Sequence, residues 1–191
     1  MQNKEKGRAW RFLIIYSLII ILTLPLMPLL LKFYYNNSSF PLSWVCYILS
    51  ALLGIYIFVY LIFIKGEQRG IVYFWFILLS FISAFLILRQ KLPAEKFHFI
   101  EYGFLSYFSY SAVEKSLEIG QLLHYTFVGL IVLIISSIDE FIQYLLPNRV
   151  GEFSDIFLNL ISGVLGLMTI VLVLRRHEKW NFKFRGTHES G

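Results

Sequence analysis

The chain has 191 residues and a formal net charge of +5; 58% of its residues are hydrophobic and 15% are charged. Soluble domains carry about 25% charged residues, so this composition excludes an ordinary soluble domain, and repeated apolar runs of about 20 residues predict an all-α, polytopic transmembrane helix bundle. The excess Lys and Arg lie in the loops that flank these runs, where they orient membrane spans, which argues against a nucleic-acid partner.

The first half of the chain predicts a basic leader followed by three apolar spans. Residues 1–11 form the leader, which is expected to be cytoplasmic. The three spans cover residues 12–31, 43–64 and 71–88. Pro25 and Pro28 are expected to bend the outer half of the first span, because proline removes a helical hydrogen bond. None of these spans contains an acidic residue or a histidine, which argues against a transporter built from paired repeats.

The second half predicts a fourth, more polar segment at residues 97–113 and then two further spans. Those two spans cover residues 122–146 and 156–174. The count is therefore about six, or five if the fourth segment does not cross the bilayer. Lys and Arg concentrate on the side that holds both termini, so we predict a multi-pass protein of the cell membrane with both termini in the cytoplasm. Residues 12–174 form a single transmembrane domain, and residues 175–191 form a basic cytoplasmic tail.

Polar side chains gather at one depth on the last three segments. They are His98 and Glu101 on the fourth segment, Asp139, Glu140 and Gln143 on the fifth, and Asp155 and Asn159 on the sixth. Residues three or four positions apart share one helix face. Ionisable groups inside spans are expensive and mark functional sites, so we predict one polar pocket in the outer leaflet. The small residues Ser162, Gly163 and Gly166 then permit close helix approach along the sixth span.

Each polar residue has an expected role in this pocket. Arg149, in the turn between the last two spans, and Lys96 are expected to hold a phosphate or carboxylate, since the planar fork of arginine donates two hydrogen bonds. Glu140 and Asp139 are the catalytic acid/base candidates, because crowding in a low dielectric favours a proton on one of them, and His98 is the proton relay. The other ligand-binding candidates are Glu101, Gln143, Asp155 and Asn159.

The sequence predicts neither a metal site nor a cofactor. It contains no HExxH motif, no spaced Cys/His set and no Gly-rich phosphate loop. His124, His177 and His188 are expected to be solvated rather than to ligate a metal.

Two stretches of the second half carry a family resemblance. HFIEYGFLSYF, followed by DEFIQYLLPNRVGEFSDIFLNLISGVLG, resembles the VanZ-like family of small bacterial membrane proteins. The shared pattern covers residues 96–166: a Lys/His-containing helix start, Asp-Glu-x-x-Gln, an Arg in a short turn, and Asp-x-x-x-Asn ahead of a Gly-rich helix. The resemblance implies a cell-envelope membrane protein, and the namesake of the family is linked to low-level glycopeptide resistance. It implies no established reaction.

Three functions fit these residues. The first is a site that binds or acts on an amphiphile with an anionic head group, either a membrane lipid or a lipid-linked envelope precursor; the residues leave enzyme and binder open. The second is a non-enzymatic accessory protein, in which the charged cluster is an interhelical ion-pair network and the partner is another envelope protein. The third is a small proton-coupled transporter, which the lack of acids in the first three spans disfavours.

Overall fold

The computed structural model describes residues 2–146 and 153–175, and this part of the chain is helical and contains no strand. Its helices are α1 (Gln2–Thr23), α2 (Met27–Asn37), α3 (Leu42–Val59), α4 (Gly70–Arg89), α5 (Pro93–Ser116), α6 (Gln121–Leu145) and α7 (Phe153–Thr169). Short π-helical segments, Tyr60–Ile64 and Ile170–Leu174, continue α3 and α7. The predicted all-α bundle is confirmed. The turn that carries Arg149 and the tail from residue 176 onward lie outside the described residues.

The first predicted span is two helices that meet at an angle. Residues 2–11, predicted as a separate leader, form the first turns of α1. α1 ends at Thr23 and α2 begins at Met27, and the two helices are bent by 65° at this break. Pro25 lies in the break and Pro28 in the first turn of α2. The predicted proline bend is therefore confirmed, since proline fits a first turn but not a helix interior.

Four helical segments of the described residues are long and apolar enough to cross a membrane. They are Leu42–Ile64, Gly70–Arg89, Gln121–Leu145 and Phe153–Leu174. α1 and α2 pass the same test of length and composition only as a bent pair, which raises the number to 5. Large side chains on these helices, such as Phe63 and Phe81, are exposed, as surface that contacts lipid requires. α5 does not pass, and the total of about six spans stays a prediction.

α5 is the interior helix of the bundle. It packs against α1, α3, α4, α6 and α7, and its 24 residues extend about 36 Å, enough to cross the hydrocarbon layer. Because its neighbours separate it from the surroundings, its surface can be polar without facing lipid. His98, Ser106 and Ser109 are accordingly buried on it. This arrangement explains why the segment scores poorly on hydropathy.

Small residues let α5 and α7 approach each other closely. A Cβ atom built on Gly166 would lie 2.8 Å from the Cα of Gly103, and one built on Gly163 would lie 2.7 Å from Cγ1 of Val132. Ser106 Oγ, on α5, donates a hydrogen bond of 2.7 Å to the Gly163 carbonyl on α7. The predicted close approach along the small-residue face is confirmed.

The loop between α3 and α4 holds the last turn of the α7 region. Lys65 Nζ donates to the carbonyl oxygens of Val173 and Leu174, at 3.2 and 2.6 Å, which places a cation at the C-terminal end of a helix, where it is favoured. The Glu67 side chain is fully buried and accepts hydrogen bonds of 2.9 and 3.1 Å from Arg69. The loop thus anchors the end of α7 that lies away from the polar residues.

A second group of polar side chains lies at the C-terminal end of α5, next to the end of the α7 region that the α3–α4 loop anchors. His124 is buried, its ring stacks on Tyr110 at a centroid distance of 4.6 Å, and its Nε2 lies 3.3 Å from the Tyr110 carbonyl oxygen. The expectation that His124 is solvated is therefore wrong. Tyr110 Oη donates to Glu114 Oε1 at 3.2 Å, and Glu114 pairs with Arg175. The two histidines of the tail lie outside the described residues.

Candidate functional site

Three helices meet where α5 begins, α6 ends and α7 begins. Six buried side chains from them form what we call the polar cluster: Tyr102, Ser136, Asp139, Glu140, Gln143 and Asn159. The α6 members are spaced by three or four residues along one face, and α6 packs against both α5 and α7. The structure thus brings four of the predicted site residues, Asp139, Glu140, Gln143 and Asn159, into one place.

Asp139 is the central acceptor of the polar cluster. Tyr102 Oη donates to its Oδ2 at 2.6 Å, and Gln143 Nε2 donates to its Oδ1 at 2.9 Å. The same Gln143 amide donates to Glu140 Oε1 at 3.3 Å. Since both oxygens of Asp139 are occupied and its side chain is fully buried, Asp139 orients its neighbours. Glu140 lies beside it on the same helix face, is also buried, and shares the Gln143 amide.

Asn159 joins α7 to this network. Its Nδ2 donates to Ser136 Oγ on α6 at 3.0 Å. α6 is therefore hydrogen-bonded to α7 through Asn159 and to α5 through Tyr102. The Asn159 Oδ1 atom is buried and has no hydrogen-bond partner among the described residues.

His98 and Glu101 form a pair next to the polar cluster, and His98 lies one turn before Tyr102 on α5. His98 Nδ1 lies 3.3 Å from Glu101 Oε2, within ion-pair range but without the alignment of a hydrogen bond, and it has no other partner in the described part of the chain. The His98 ring centroid is 5.8 Å from that of Tyr102, and Asp139 and Glu140 act on it electrostatically. The pair therefore adjoins the polar cluster.

A cleft leads to this pair from the side of the bundle. It is a small cleft, with an internal volume of about 20 Å³, and it lies between the bend of α1 and α2 and the first turns of α5. Its lining is Ile20, Thr23, Leu24, Met27, Phe97, His98 and Glu101. His98 is only 7% exposed, whereas 30% of the Glu101 side chain is exposed. Glu101 is thus the ionisable group most accessible from this cleft.

The cationic residues predicted for the site are not part of the described cluster. Lys96 is buried against α3, where its Nζ donates to Ser43 Oγ at 3.0 Å and lies 5.2 Å from the ring centroid of Tyr47. Arg149 lies outside the described residues. Asp155 is half-buried in the first turn of α7. Of the two predicted cations, the structure therefore describes only Lys96, and it lies against α3.

Tyr102 and Ser136 complete the cluster, although sequence reasoning assigned them no role. Their signal is position: Tyr102 is one residue after Glu101 and four after His98, and Ser136 is three before Asp139. A hydroxyl at such a position on a polar face is a natural hydrogen-bond partner for a buried acid.

Across residues 2–146 and 153–175, no three His, Cys, Asp or Glu side chains come together as metal ligands.

The fold and the site define an all-α bundle of helices able to span a membrane, with a buried, acid-rich cluster where three helices meet. The family model described as VanZ/LLP1 matches residues 51–174, well over half of the chain, and the chain belongs to this family. The match begins inside α3 and includes α4, so it extends beyond the resemblance seen at residues 96–166. No curated protein and no solved structure matches the chain.

Proposed function

We propose that this VanZ/LLP1-family protein lies in the cell membrane with both termini in the cytoplasm, and that the polar cluster forms an outer-leaflet site for an amphiphile with an anionic head group. The amphiphile is a membrane lipid or a lipid-linked envelope precursor. The observation that carries this proposal is the adjacent acid pair Asp139–Glu140, which is buried at one end of the bundle and acts electrostatically on His98. His98 and Glu101 in turn line a small cleft that opens on the side of the bundle. A head group that approaches from this side would leave its chain in lipid.

The energetics favour a site over a purely structural network. Interhelical polar contacts in membranes contribute on average about 0.6 kcal/mol each. An acidic side chain costs about 2.5–3.5 kcal/mol at the middle of the bilayer, and less toward its surface. Two adjacent buried acids are therefore an expensive way to gain contacts of this strength. Groups retained at such cost are typical of ligand, ion or proton sites.

The geometry supports a division of roles. Asp139 holds Tyr102 and Gln143 in position, and Glu140 is the acid/base candidate with His98 as its proton relay. Arg149, one short turn after α6, supplies the fork for a phosphate or carboxylate. Of the other predicted ligand groups, Glu101 and Asp155 are partly exposed and would orient the head group from the rim. Asn159 would act from inside the cluster, and Lys96 would first have to leave Ser43. The same division of roles would serve a protein that only binds the amphiphile and an enzyme that modifies it. Analysis of extracted lipids distinguishes these two functions.

Two variants, Glu140→Gln and Arg149→Lys, test the proposal. The control is Glu118→Gln, which changes an exposed acid in the α5–α6 loop. We expect both test variants to give normal yields of folded protein from membranes and to lose any envelope phenotype that the wild-type gene confers, including a change in glycopeptide susceptibility. A covalent change in extracted lipids that depends on Glu140 would identify an enzyme. Normal yield with full phenotype in both variants would refute the proposal.

The second candidate function is an accessory protein whose cluster is structural. The hydrogen bonds that connect α5, α6 and α7 through Tyr102, Asp139 and Asn159 favour it. In that case Glu140→Gln and Arg149→Lys lose folded yield, and the phenotype falls in proportion to the protein that remains. The partner would be another protein of the envelope.

A further inference from the structure

We infer that α2 is an interfacial helix, which lies along the membrane surface at the level of the lipid head groups and does not continue the span begun by α1. Its partner is the lipid surface itself. One flank of α2 enters the acyl chains, and the opposite flank meets head groups and water. This surface is separate from the polar cluster, so the inference stands or falls independently of the proposed function.

The bend after Thr23 turns α2 away from the direction of α1. The two helices are bent by 65°. The 11 residues of α2 extend about 16 Å, of which only about 7 Å runs along the axis of α1. Met27, in the first turn of α2, lines the small cleft together with Phe97 and His98 of α5. α2 therefore runs mainly sideways, at the end of the bundle that holds the polar cluster.

Packing against the other described helices does not account for the stability of α2. None of its residues is buried, and no other helix of the described residues packs along it. An isolated helix shorter than about 12–15 residues is marginal in water, and α2 has 11 residues. In water it would also leave Leu29, Leu30 and Phe33 with 66%, 53% and 69% of their surface exposed. An apolar surface must therefore support this helix, and the lipid around a membrane bundle supplies one.

The exposed side chains of α2 include two flanks of different chemistry. Leu30 and Phe33 are three residues apart and share one flank, whereas Lys32 and Tyr35, also three apart, share another. At 3.6 residues per turn, the two flanks lie roughly 160° apart around the helix. A lysine deep in hydrocarbon is costly, and apolar side chains in water lose the gain of burial. A helix that lies flat at the lipid–water boundary places both flanks in a suitable environment.

The residues that follow α2 fit the same depth. Tyr34 Oη donates to the Phe40 carbonyl at 2.8 Å and closes the turn into α3. Asn37 Nδ2 donates to the Phe33 carbonyl at 2.8 Å, which satisfies this amide within its own helix. Trp44, in the first turn of α3, is 55% exposed. Tyrosine and tryptophan are enriched where a protein meets the head groups, so the turn from α2 into α3 has the composition of an interfacial segment.

The test measures the depth of single spin labels on α2 in the full-length protein, reconstituted into vesicles of phosphatidylcholine and phosphatidylglycerol. Leu30→Cys, Phe33→Cys, Lys32→Cys and Tyr35→Cys each carry one label in Cys46→Ala protein. Collision rates with oxygen and with a water-soluble nickel complex give the depth of each label. If Cys46→Ala protein does not fold, the wild-type background serves instead, because Cys46 is fully buried there and labelled wild type gives the blank.

The two flanks should give different depths. Labels on the apolar flank should lie about 5–10 Å below the phosphates, and labels on the polar flank at the level of the phosphates or in water. Leu52→Cys, at an exposed side chain in the middle of α3, calibrates the hydrocarbon, and Glu118→Cys, in the α5–α6 loop, calibrates water. A depth that changes steadily along α2, by about 1.5 Å per residue, would show a continued span. Four labels in water would show a helix off the membrane, and either result overturns the inference.

A matched pair of substitutions tests the role of the apolar flank. Phe33→Asp places a charge on the flank that enters lipid, and Tyr35→Asp replaces another aromatic ring on the polar flank. Phe33→Asp should move the label at Leu30 outward by about 5–10 Å, whereas Tyr35→Asp should leave its depth unchanged. Both proteins should keep the helical circular dichroism of the bundle, since no described helix packs along α2. An unmoved label in folded Phe33→Asp protein, or equal shifts in the two variants, would contradict the assigned flanks.

Discussion

Substitution of Gly166 by alanine places a methyl group against the backbone of α5. The new Cβ would lie 2.8 Å from the Cα and 2.9 Å from the carbonyl oxygen of Gly103, whereas nonbonded carbons rest about 3.5–4.0 Å apart. α5 and α7 must therefore separate by roughly 1 Å. Such overpacking costs about 1–3 kcal/mol, and alanine returns about 0.8–1.0 kcal/mol as the better helix former. Because a backbone cannot rotate aside, we expect a net loss of about 1–2 kcal/mol.

Gly103→Ala is the matched control on the other side of this contact. A Cβ at Gly103 meets no atom within 4 Å, so only the helix preference changes, and stability should rise by about 0.5–1 kcal/mol. The free energy of unfolding is measured by titrating mixed micelles with sodium dodecyl sulfate and following the helical circular dichroism signal. Equal stabilities of the two variants, or a Gly166→Ala protein as stable as wild type, would refute the packing of α5 against α7.

Two further substitutions test the hydrogen bonds that hold the bundle together. Tyr102→Phe removes the donor to Asp139 and should cost about 1–3 kcal/mol of unfolding free energy, while Tyr107→Phe, at a side chain 44% exposed, should change stability by less than about 0.5 kcal/mol. Glu67→Gln weakens the fully buried acceptor of the α3–α4 loop and should lower the thermal midpoint in detergent, whereas Glu118→Gln should not. A normal midpoint for Glu67→Gln, or equal effects of the two tyrosine substitutions, would contradict these assignments.

The apolar helices were predictable because a membrane span needs a run of about 20 apolar residues, which is visible in the sequence. The segment predicted at residues 71–88 is observed as the helix Gly70–Arg89, and the one at 122–146 as the helix Gln121–Leu145. The bend after Thr23 followed from two prolines, since a proline inside a helix kinks or breaks it. These features depend on local chemistry and on the surrounding solvent, and both are legible in a single sequence.

The position of α5 was not predictable from hydropathy. Its segment looked like the weakest span because His98, Glu101, Ser106 and Ser109 interrupt the apolar run. Its polarity reflects shielding by five neighbouring helices, and shielding is a property of the whole bundle. For the same reason His124 was expected in solvent, although the start of α6 packs it against Tyr110.

Helical spacing predicted the faces of the candidate site but not every partner on them. The intervals from Asp139 to Gln143 and from Asp155 to Asn159 place each pair on one face, and α6 and α7 do bring Asp139, Gln143 and Asn159 to one end of the bundle. Spacing does not reveal which way a long side chain extends. For this reason it did not predict that Lys96 bonds to Ser43 on α3 and not to a group of the polar cluster.

The most direct test of the central claim is to locate the lipid. A phospholipid with a photoreactive group next to its phosphate is added to the reconstituted protein, and the labelled peptides are mapped after irradiation. The proposed site predicts labelling of the peptides that contain Glu101 and Asp139–Gln143. This labelling should be lost in folded Arg149→Lys protein, because Arg149 is the residue proposed to hold the phosphate. Labelling confined to the exposed faces of α3 and α4, unchanged by Arg149→Lys, would contradict it.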